Sequence, residues 1–342
     1  MKIFYTSTDI PFEYPFTISG GRTKASQPAL IVALQMGHIT GYGEASAISY
    51  YNVTVEKMVE KLEQKKKMAE RFAMTDPTRY WHYLHHLIPD DPFLVSALDM
   101  AGWDLFGKLH GLPLYKFWKT DWKDIPETNY TIGIDPLEKM LEKMKAHPWP
   151  VYKIKVGTAE DVSILESLRK QTDAIFRIDA NAGWTLEEAL EILPKLKDLK
   201  VELVEQPLPK DDWEGMKMLF EKSPVPLIAD ESCVSEHDVI KCAGHFHGIN
   251  IKLTKCSGIT PALRMVSQAR ELGLKVMMGS MNENVIGSAA IAQFLPQLDY
   301  VDMDGPLLQT EKNAAGLDFQ DGEVFISNRA GLGVDVLVRD FK

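Results

Sequence analysis

The sequence predicts an α/β chain in which a small α+β unit precedes a parallel barrel of alternating strands and helices. Three observations carry that prediction. After Asn129, eight short apolar runs alternate with amphipathic stretches, the mark of βαβ units and a parallel sheet. Before Asn129, strand-like text comes first and helical text follows, as in a separate α+β unit. The length, 342 residues, fits two domains at about 150 residues each.

Residues 1 to about 50 read as strands. The apolar run from Ala29 to Leu34 returns through Met36-Gly37-His38 to Gly41-Tyr42-Gly43-Glu44, which predicts a hairpin. Ile18-Ser19-Gly20-Gly21-Arg22-Thr23-Lys24 is polar and carries adjacent glycines, so a mobile loop is expected there. From Thr54 to about Leu109 the period changes. Val55, Met58, Val59 and Leu62 recur at helical spacing, and the stretch from Val95 to Phe106 does so again. The Pro-, Trp- and charge-rich stretch 112–127 reads as a connection. Barrel strands are expected at 130–134, 151–156, 175–179, 201–205, 227–230, 248–252, 275–278 and 300–302. The last stretch, from Gly316, does not repeat the unit and is expected to return to the N-terminal unit. The expected domains are therefore residues 1–120, joined by 319–342, and a barrel over 125–318, which at about 190 residues is small for its kind.

Composition narrows the function. Hydrophobic residues are 45% and charged residues 25%, ordinary for a soluble globular protein and unlike a disordered, collagenous or coiled-coil chain. Lys plus Arg is 38 against 48 Asp plus Glu, a formal charge of −10. Nucleic acids and anionic membranes want basic surface, so neither is an expected partner. Cys233, Cys242 and Cys256 are odd in number and form no CxxC pair, which points to a reducing, cytoplasmic setting. The N-terminus lacks the apolar core of a signal peptide, and no window of about 18 apolar residues is present to cross a bilayer.

One pattern carries the chemistry. Lys155, Asp179, Glu205, Asp230 and Lys252 each end an apolar strand, at intervals of 24, 26, 25 and 22 residues. That interval is one βα unit, so the five side chains rise together at the C-terminal mouth of the barrel, where barrel active sites lie. Asp179, Glu205 and Asp230 are three hard oxygen donors on neighbouring strands. Crowded together they repel and rise in pKa unless a cation neutralises them. Oxygen-only donors suit Mg²⁺, and the lack of His or Cys at these positions argues against zinc. Lys155 and Lys252 flank that site from opposite sides of the mouth. A lysine beside a divalent cation and other lysines is expected to have a lowered pKa, so that its neutral amine acts as a base. Two bases on opposite faces of one carbon describe a racemase or epimerase. Lys153 shares the face of Lys155 and would add positive charge near a developing enolate oxygen.

Lys153-Ile154-Lys155, Asp179-Ala180-Asn181, Val204-Glu205-Gln206-Pro207, Ala229-Asp230-Glu231-Ser232 and Asn250-Ile251-Lys252-Leu253 together resemble the motif series of the enolase superfamily. More narrowly, they resemble its muconate lactonizing enzyme subgroup, and the likeness spans nearly the whole chain. The resemblance implies a modified (β/α)₇β TIM-type barrel closed by an N-terminal α+β capping domain. It also implies proton abstraction α to a carboxylate, with Asp179, Glu205 and Asp230 as ligands of one Mg²⁺ and Lys155 and Lys252 as bases. Sites of that superfamily combine a Lys or His base with Mg²⁺ that stabilises an ene-diolate.

The eighth strand narrows the reaction. Asp302-Met303-Asp304 puts two carboxylates on one face, and with the metal served by others the pair calls for a cationic partner such as a substrate ammonium. This Asp-x-Asp resembles the motif that anchors the N-terminal amine in dipeptide epimerases. Thr131, Ser280, Met281 and Asn282 match positions lining that pocket, and Arg22 resembles a capping-loop arginine that binds a glutamate side chain. Arg22 is equally readable as a solvated loop cation, with Phe16, Ile18 and Met281 forming an apolar wall instead. The expected function is Mg²⁺-dependent epimerisation of the C-terminal residue of Ala-X dipeptides by a homo-oligomer, with X acidic or small and apolar. The rivals are N-acylamino acid racemisation, o-succinylbenzoate synthesis and muconate cycloisomerisation on the same scaffold, or a barrel that binds metal without catalysis. His82, His85 and His86 fall on a helical segment far in sequence from the strand ends. Lys255 and Cys256, just beyond the sixth strand, read as supporting charge and packing.

Overall fold

The computed structural model describes residues 1–18, 22–158 and 160–342, without the side chains of residues 16–18 and 22. Its first unit is an antiparallel sheet of β1 (Lys2–Ile18), β2 (Arg22–Met36) and β3 (Ile39–Ser46) in that order. The expected hairpin is β2–β3, turning at Gly37 with φ +63°. The expected loop at 18–24 is narrower than read, because Ile18 ends β1 and Arg22–Lys24 already belong to β2. Residues 19–21, with their two glycines, lie outside the described residues. Leu30, Val32 and Leu34 face the helices of this unit, while Ile31 joins the barrel-side core. Burial on both faces explains why this strand reads as an unbroken apolar run rather than an alternation.

Three helices cover the sheet: α1 (Val55–Ala69), α2 (Pro77–Leu87) and α3 (Pro92–His110). Thr54, Asp76 and Asp91 cap them through backbone N–H groups, and Pro77 and Pro92 occupy first turns where no donor is needed. Helix α3 is buried on nearly every side because it lies between the sheet and the barrel. Strand β3 approaches it so closely that a Cβ on Gly43 would sit 2.0 Å from the Ala97 carbonyl oxygen. Only glycine permits that contact.

After a connection containing the short helix α4 (Leu114–Phe117) comes the barrel. Its strands are β4 (Tyr130–Ile132), β5 (Val151–Lys155), β6 (Ile175–Asp179), β7 (Val201–Glu205), β8 (Leu227–Ala229), β9 (Gly248–Ile251), β10 (Lys275–Gly279) and β11 (Tyr300–Asp302). They pair in parallel and in sequence order. A Thr128–Val301 bridge joins the first strand to the last, and Met303 N–H donates to Thr128 Oγ1 at 3.1 Å. All eight strands fall where the apolar runs predicted, though Asp230 and Lys252 stand just past their strand ends. Ile154, Ile178, Val204, Ala229 and Ile249 point outward to the helices, while Leu203, Ile228 and Met277 fill the barrel floor.

The two units lock together through buried polar contacts. Asp99 on α3 accepts from Thr260 N–H and Oγ1, both at 2.9 Å. Glu44 on β3 accepts from Asn284 N–H (2.8 Å), Gly287 N–H (2.9 Å) and Asn313 Nδ2 (3.0 Å). The C-terminal segment reaches back as well. Leu332 N–H donates to Asp104, and Tyr5 and Lys342 exchange backbone hydrogen bonds of 3.2 and 2.9 Å. All three cysteines are free and buried. Among the described residues no helix is long and apolar enough to cross a membrane.

Candidate active site

Strand register brings the strand-end charges together. Lys155 pairs with Asp179, and Asp179 with Glu205, so three neighbours on β5, β6 and β7 point into the mouth at one level. Glu205 pairs with Ile228, which puts Asp230, two residues on, above the same inner face. One layer lower, Thr131 pairs with Lys153. Lys252 follows β9, so it stands four strands from Lys155, half-way round an eight-stranded ring.

All these side chains are buried, and they neutralise one another. Lys153 Nζ lies 3.0 Å from Asp179, 2.7 Å from Glu205 and 2.7 Å from Asp302. Lys155 Nζ donates to Asp179 at 2.6 Å and to Asn181 Oδ1 at 3.1 Å. Lys252 Nζ donates to Asp230 Oδ2 at 2.7 Å, while Lys255 Nζ holds Asp230 Oδ1, the Asp230 carbonyl (2.7 Å) and the Cys233 carbonyl (3.1 Å). Asn250 Nδ2 donates to Glu205 Oε1 at 2.7 Å.

Among the protein's own groups, the pKa of Lys252 is raised: burial pushes it down, but Asp230 and Glu205 outweigh that. Burial also pushes Lys153 down, and Asp179, Asp302 and Glu205 again outweigh it. Surrounded by carboxylates, these two amines hold their protons more tightly. Burial would push Asp179 and Asp230 up, yet their lysines hold both below the usual carboxylate range. Glu231 is pushed to about 7, first by burial and then by Asp230 and Asp179.

The Asp302–Asp304 pair sits beside this cluster. Asp302 Oδ2 accepts from Lys153, and its Oδ1 accepts from Asn129 Nδ2 at 2.8 Å. Asp304 Oδ2 accepts from Thr131 N–H at 2.6 Å. Burial, followed by the charge of Asp302, pushes Asp304 up to about 7. Ser280 N–H donates to the Asp302 carbonyl at 2.8 Å, which ties the loop after β10 to this strand. Met281 and Asn282, in the same loop, are partly buried, and Met281 packs toward the capping domain. The Arg22 side chain lies outside the described residues.

Asn129, Asn181, Asn250, Glu231 and Glu283 were not assigned to the site from the sequence. Asn129, Asn181 and Asn250 are neutral, with no charge pattern to flag them. Glu283 is buried and bonded to Met281 N–H, and burial pushes it to about 7. Lys255 was legible as supporting charge, but not as a direct partner of Asp230.

Among the described residues no three Asp, Glu, His or Cys side chains converge at ligation geometry; Lys153 pairs with Asp179, Glu205 and Asp302, and Lys252 and Lys255 pair with Asp230. The donor set nevertheless fits a hard divalent cation. Glu205 Oε2 is fully buried and accepts no aligned hydrogen bond, although Lys153 is near. The buried carboxylates around the mouth outnumber the four ammonium groups Lys153, Lys155, Lys252 and Lys255, and the preference of Mg²⁺ for oxygen suits Asp179, Glu205 and Asp230 as donors.

Comparison with known proteins agrees with this architecture. Residues 1–118 match the mandelate racemase / muconate lactonizing enzyme N-terminal domain, and residues 137–340 match the enolase C-terminal domain-like family. An L-Ala-D/L-amino acid epimerase from Flavobacterium johnsoniae is 47% identical, covering 98% of this chain and 100% of the relative. Among solved structures, a substrate-liganded L-Ala-D/L-Glu epimerase from Bacillus subtilis superposes with a TM-score of 0.92 at 28% identity, over 98% of this chain and 99% of that one. A dipeptide epimerase from Cytophaga hutchinsonii, complexed with Mg and D-Ala-L-Val, also gives 0.92 at 26% identity, over 98% and 95%.

Proposed function

The chain belongs to the enolase superfamily, with the N-terminal domain of its mandelate racemase / muconate lactonizing enzyme group, and we propose that it is a Mg²⁺-dependent dipeptide epimerase. It inverts the α-carbon of the C-terminal residue of L-Ala-L-X dipeptides. The observation that carries this is the placement of Lys155 and Lys252 four strands apart across one carboxylate cluster, with the Asp302–Asp304 pair alongside. The names of the similar epimerases support it.

Asp179, Glu205 and Asp230 would hold Mg²⁺, which when bound would supply positive charge beside a substrate carboxylate and lower the proton affinity of the neighbouring amines. Lys153 adds a second cation beside the same carboxylate. One of Lys155 and Lys252 takes the α-proton from one face, and the other returns a proton to the opposite face. Asp304, with Asp302 beside it, binds the substrate's terminal ammonium, and Thr131, Ser280, Met281 and Asn282 line that pocket. Arg22 is the candidate contact for an acidic X. N-acylamino acids, succinylbenzoate precursors and muconate lack a free amine for the aspartate pair, which ranks those reactions lower. The proposed setting is the cytoplasm, supported by three unpaired cysteines, and the proposed assembly is a homo-oligomer.

The test is incubation of pooled L-Ala-L-X dipeptides with enzyme and Mg²⁺ in D₂O, read by mass spectrometry. A one-dalton gain confined to a subset of dipeptides is expected, and it names X. An acidic winner favours Arg22 as a contact and an apolar winner removes it. No exchange by folded, Mg²⁺-bound protein would refute the proposal.

A further inference from the structure

We propose that Asn129 is a positioning residue for substrate selection, holding Asp302 and Asp304 together as a site for a primary ammonium group. The inference rests on the dipeptide activity proposed above. Asn129 immediately precedes β4, next to the Thr128–Val301 bridge that closes the barrel, so closure itself sets it against the eighth strand. It is fully buried. Its Nδ2 reaches Asp302 Oδ1 at 2.8 Å, Asp304 Oδ2 at 3.4 Å and Thr131 Oγ1 at 3.4 Å. Its Oδ1 has no partner. The two carboxylates decide which way the amide faces, since an oxygen turned toward them would be repelled. Every hydrogen bond of this side chain therefore goes to the aspartate pair and Thr131, and none to the surrounding scaffold.

The pair is consequently divided in its work. Both oxygens of Asp302 are engaged, one by the Lys153 ammonium and one by Asn129. Asp304 is held by neutral donors, Thr131 and Asn129. Among the described residues no lysine or arginine forms an ion pair with Asp304, so it is the carboxylate left for an incoming ammonium. Without the bridging amide, Asp302 and Asp304 would repel each other in a dry site, and Asp304 would turn away from Asp302. That change breaks up the paired acceptor that distinguishes a free amine from an acylated one.

The experiment compares wild type with Asn129→Leu, which keeps the bulk and removes the donors, and with Asn129→Ala as a second variant. The expected result is a KM for the preferred dipeptide raised about tenfold to a hundredfold, as for loss of a hydrogen bond to a charged group. Meanwhile kcat stays within about threefold, Mg²⁺ affinity followed by thermal shift is unchanged, and binding of the N-acetylated dipeptide is as in wild type. An unchanged dipeptide KM, or equal weakening of the free and N-acetylated ligands, would overturn the role of Asn129 alone. Loss of Mg²⁺ affinity in both variants would overturn it too, by showing general collapse of the site. Failure of the wild type to epimerise any dipeptide would instead overturn the proposed function, and this inference with it.

Discussion

Lys255→Met is the most informative perturbation of the charge cluster. The Lys255 side chain is 1% exposed and holds Asp230 through its carboxylate and carbonyl together, while also bonding the Cys233 carbonyl. Methionine fills similar space without a charge. Breaking one side of a buried ion pair costs up to about 3–5 kcal/mol, and here Asp230 keeps only Lys252 as a charged partner. Unfolding entropy near 2.1 cal/mol/K per residue, over 342 residues, converts that cost to a melting temperature up to about 4–7 °C lower without Mg²⁺. The loss should shrink when Mg²⁺ is added. With Lys255 gone the carboxylates face three amines instead of four, so the site carries one more negative charge for a divalent cation to meet. A tenfold tighter Kd at saturating Mg²⁺ is worth about 1.4 kcal/mol, or about 2 °C of additional shift. The assay is thermal unfolding of both proteins across a Mg²⁺ titration. Equal Mg²⁺-induced shifts in the two would refute the reasoning that uncompensated carboxylate charge draws the metal.

Three further outcomes are expected. Lys155→Ala and Lys252→Ala should each lower kcat for epimerisation by about 10²–10⁴-fold, the scale for one acid–base group. Full inversion by either variant, followed by chiral chromatography, would end the two-base mechanism. Gly43→Ala places a methyl 2.0 Å from the Ala97 oxygen, so α3 must shift from β3 at a cost of about 1–3 kcal/mol or more. A denaturation midpoint equal to wild type would contradict that packing. Asp99 is pushed by burial to about 7, against about 3.9 in an unfolded chain. The folded state therefore binds an extra proton between those values, and its stabilising effect, about 4 kcal/mol, is full below about pH 4 and lost as pH rises through about 7. Calorimetry of wild type and Asp99→Asn over this range should show the wild type losing more stability on the way up. Parallel curves would remove Asp99 as the cause.

Much of the molecule was legible in its letters for reasons that are local. A buried parallel strand must be a short apolar run, and a charge that ends it must face the mouth or the solvent. Recurrence of such charges once per βα unit therefore exposed Lys155, Asp179, Glu205, Asp230 and Lys252 together. The division of 54–109 into three helices was not read, although Thr54, Asp76 and Asp91 supply acceptors that each first turn needs whatever surrounds it. Glu44 looked like one more hairpin residue, and nothing near it in sequence announces donors 240 and 243 positions away.

The order of elements, the barrel and the charges at its mouth could all be read from the chain, because periodicity and strand ends are properties of a few consecutive residues. Which amine neutralises which carboxylate is a matter of packing alone. Lys153 touches Asp179, Glu205 and Asp302 because strand pairing stacks their layers, and that crowding is why burial does not lower its pKa. Asn129 meets Asp302, 173 residues on, only because the first strand closes against the eighth. Ring closure is a relation between the two ends of the sheet, and no local pattern carries it.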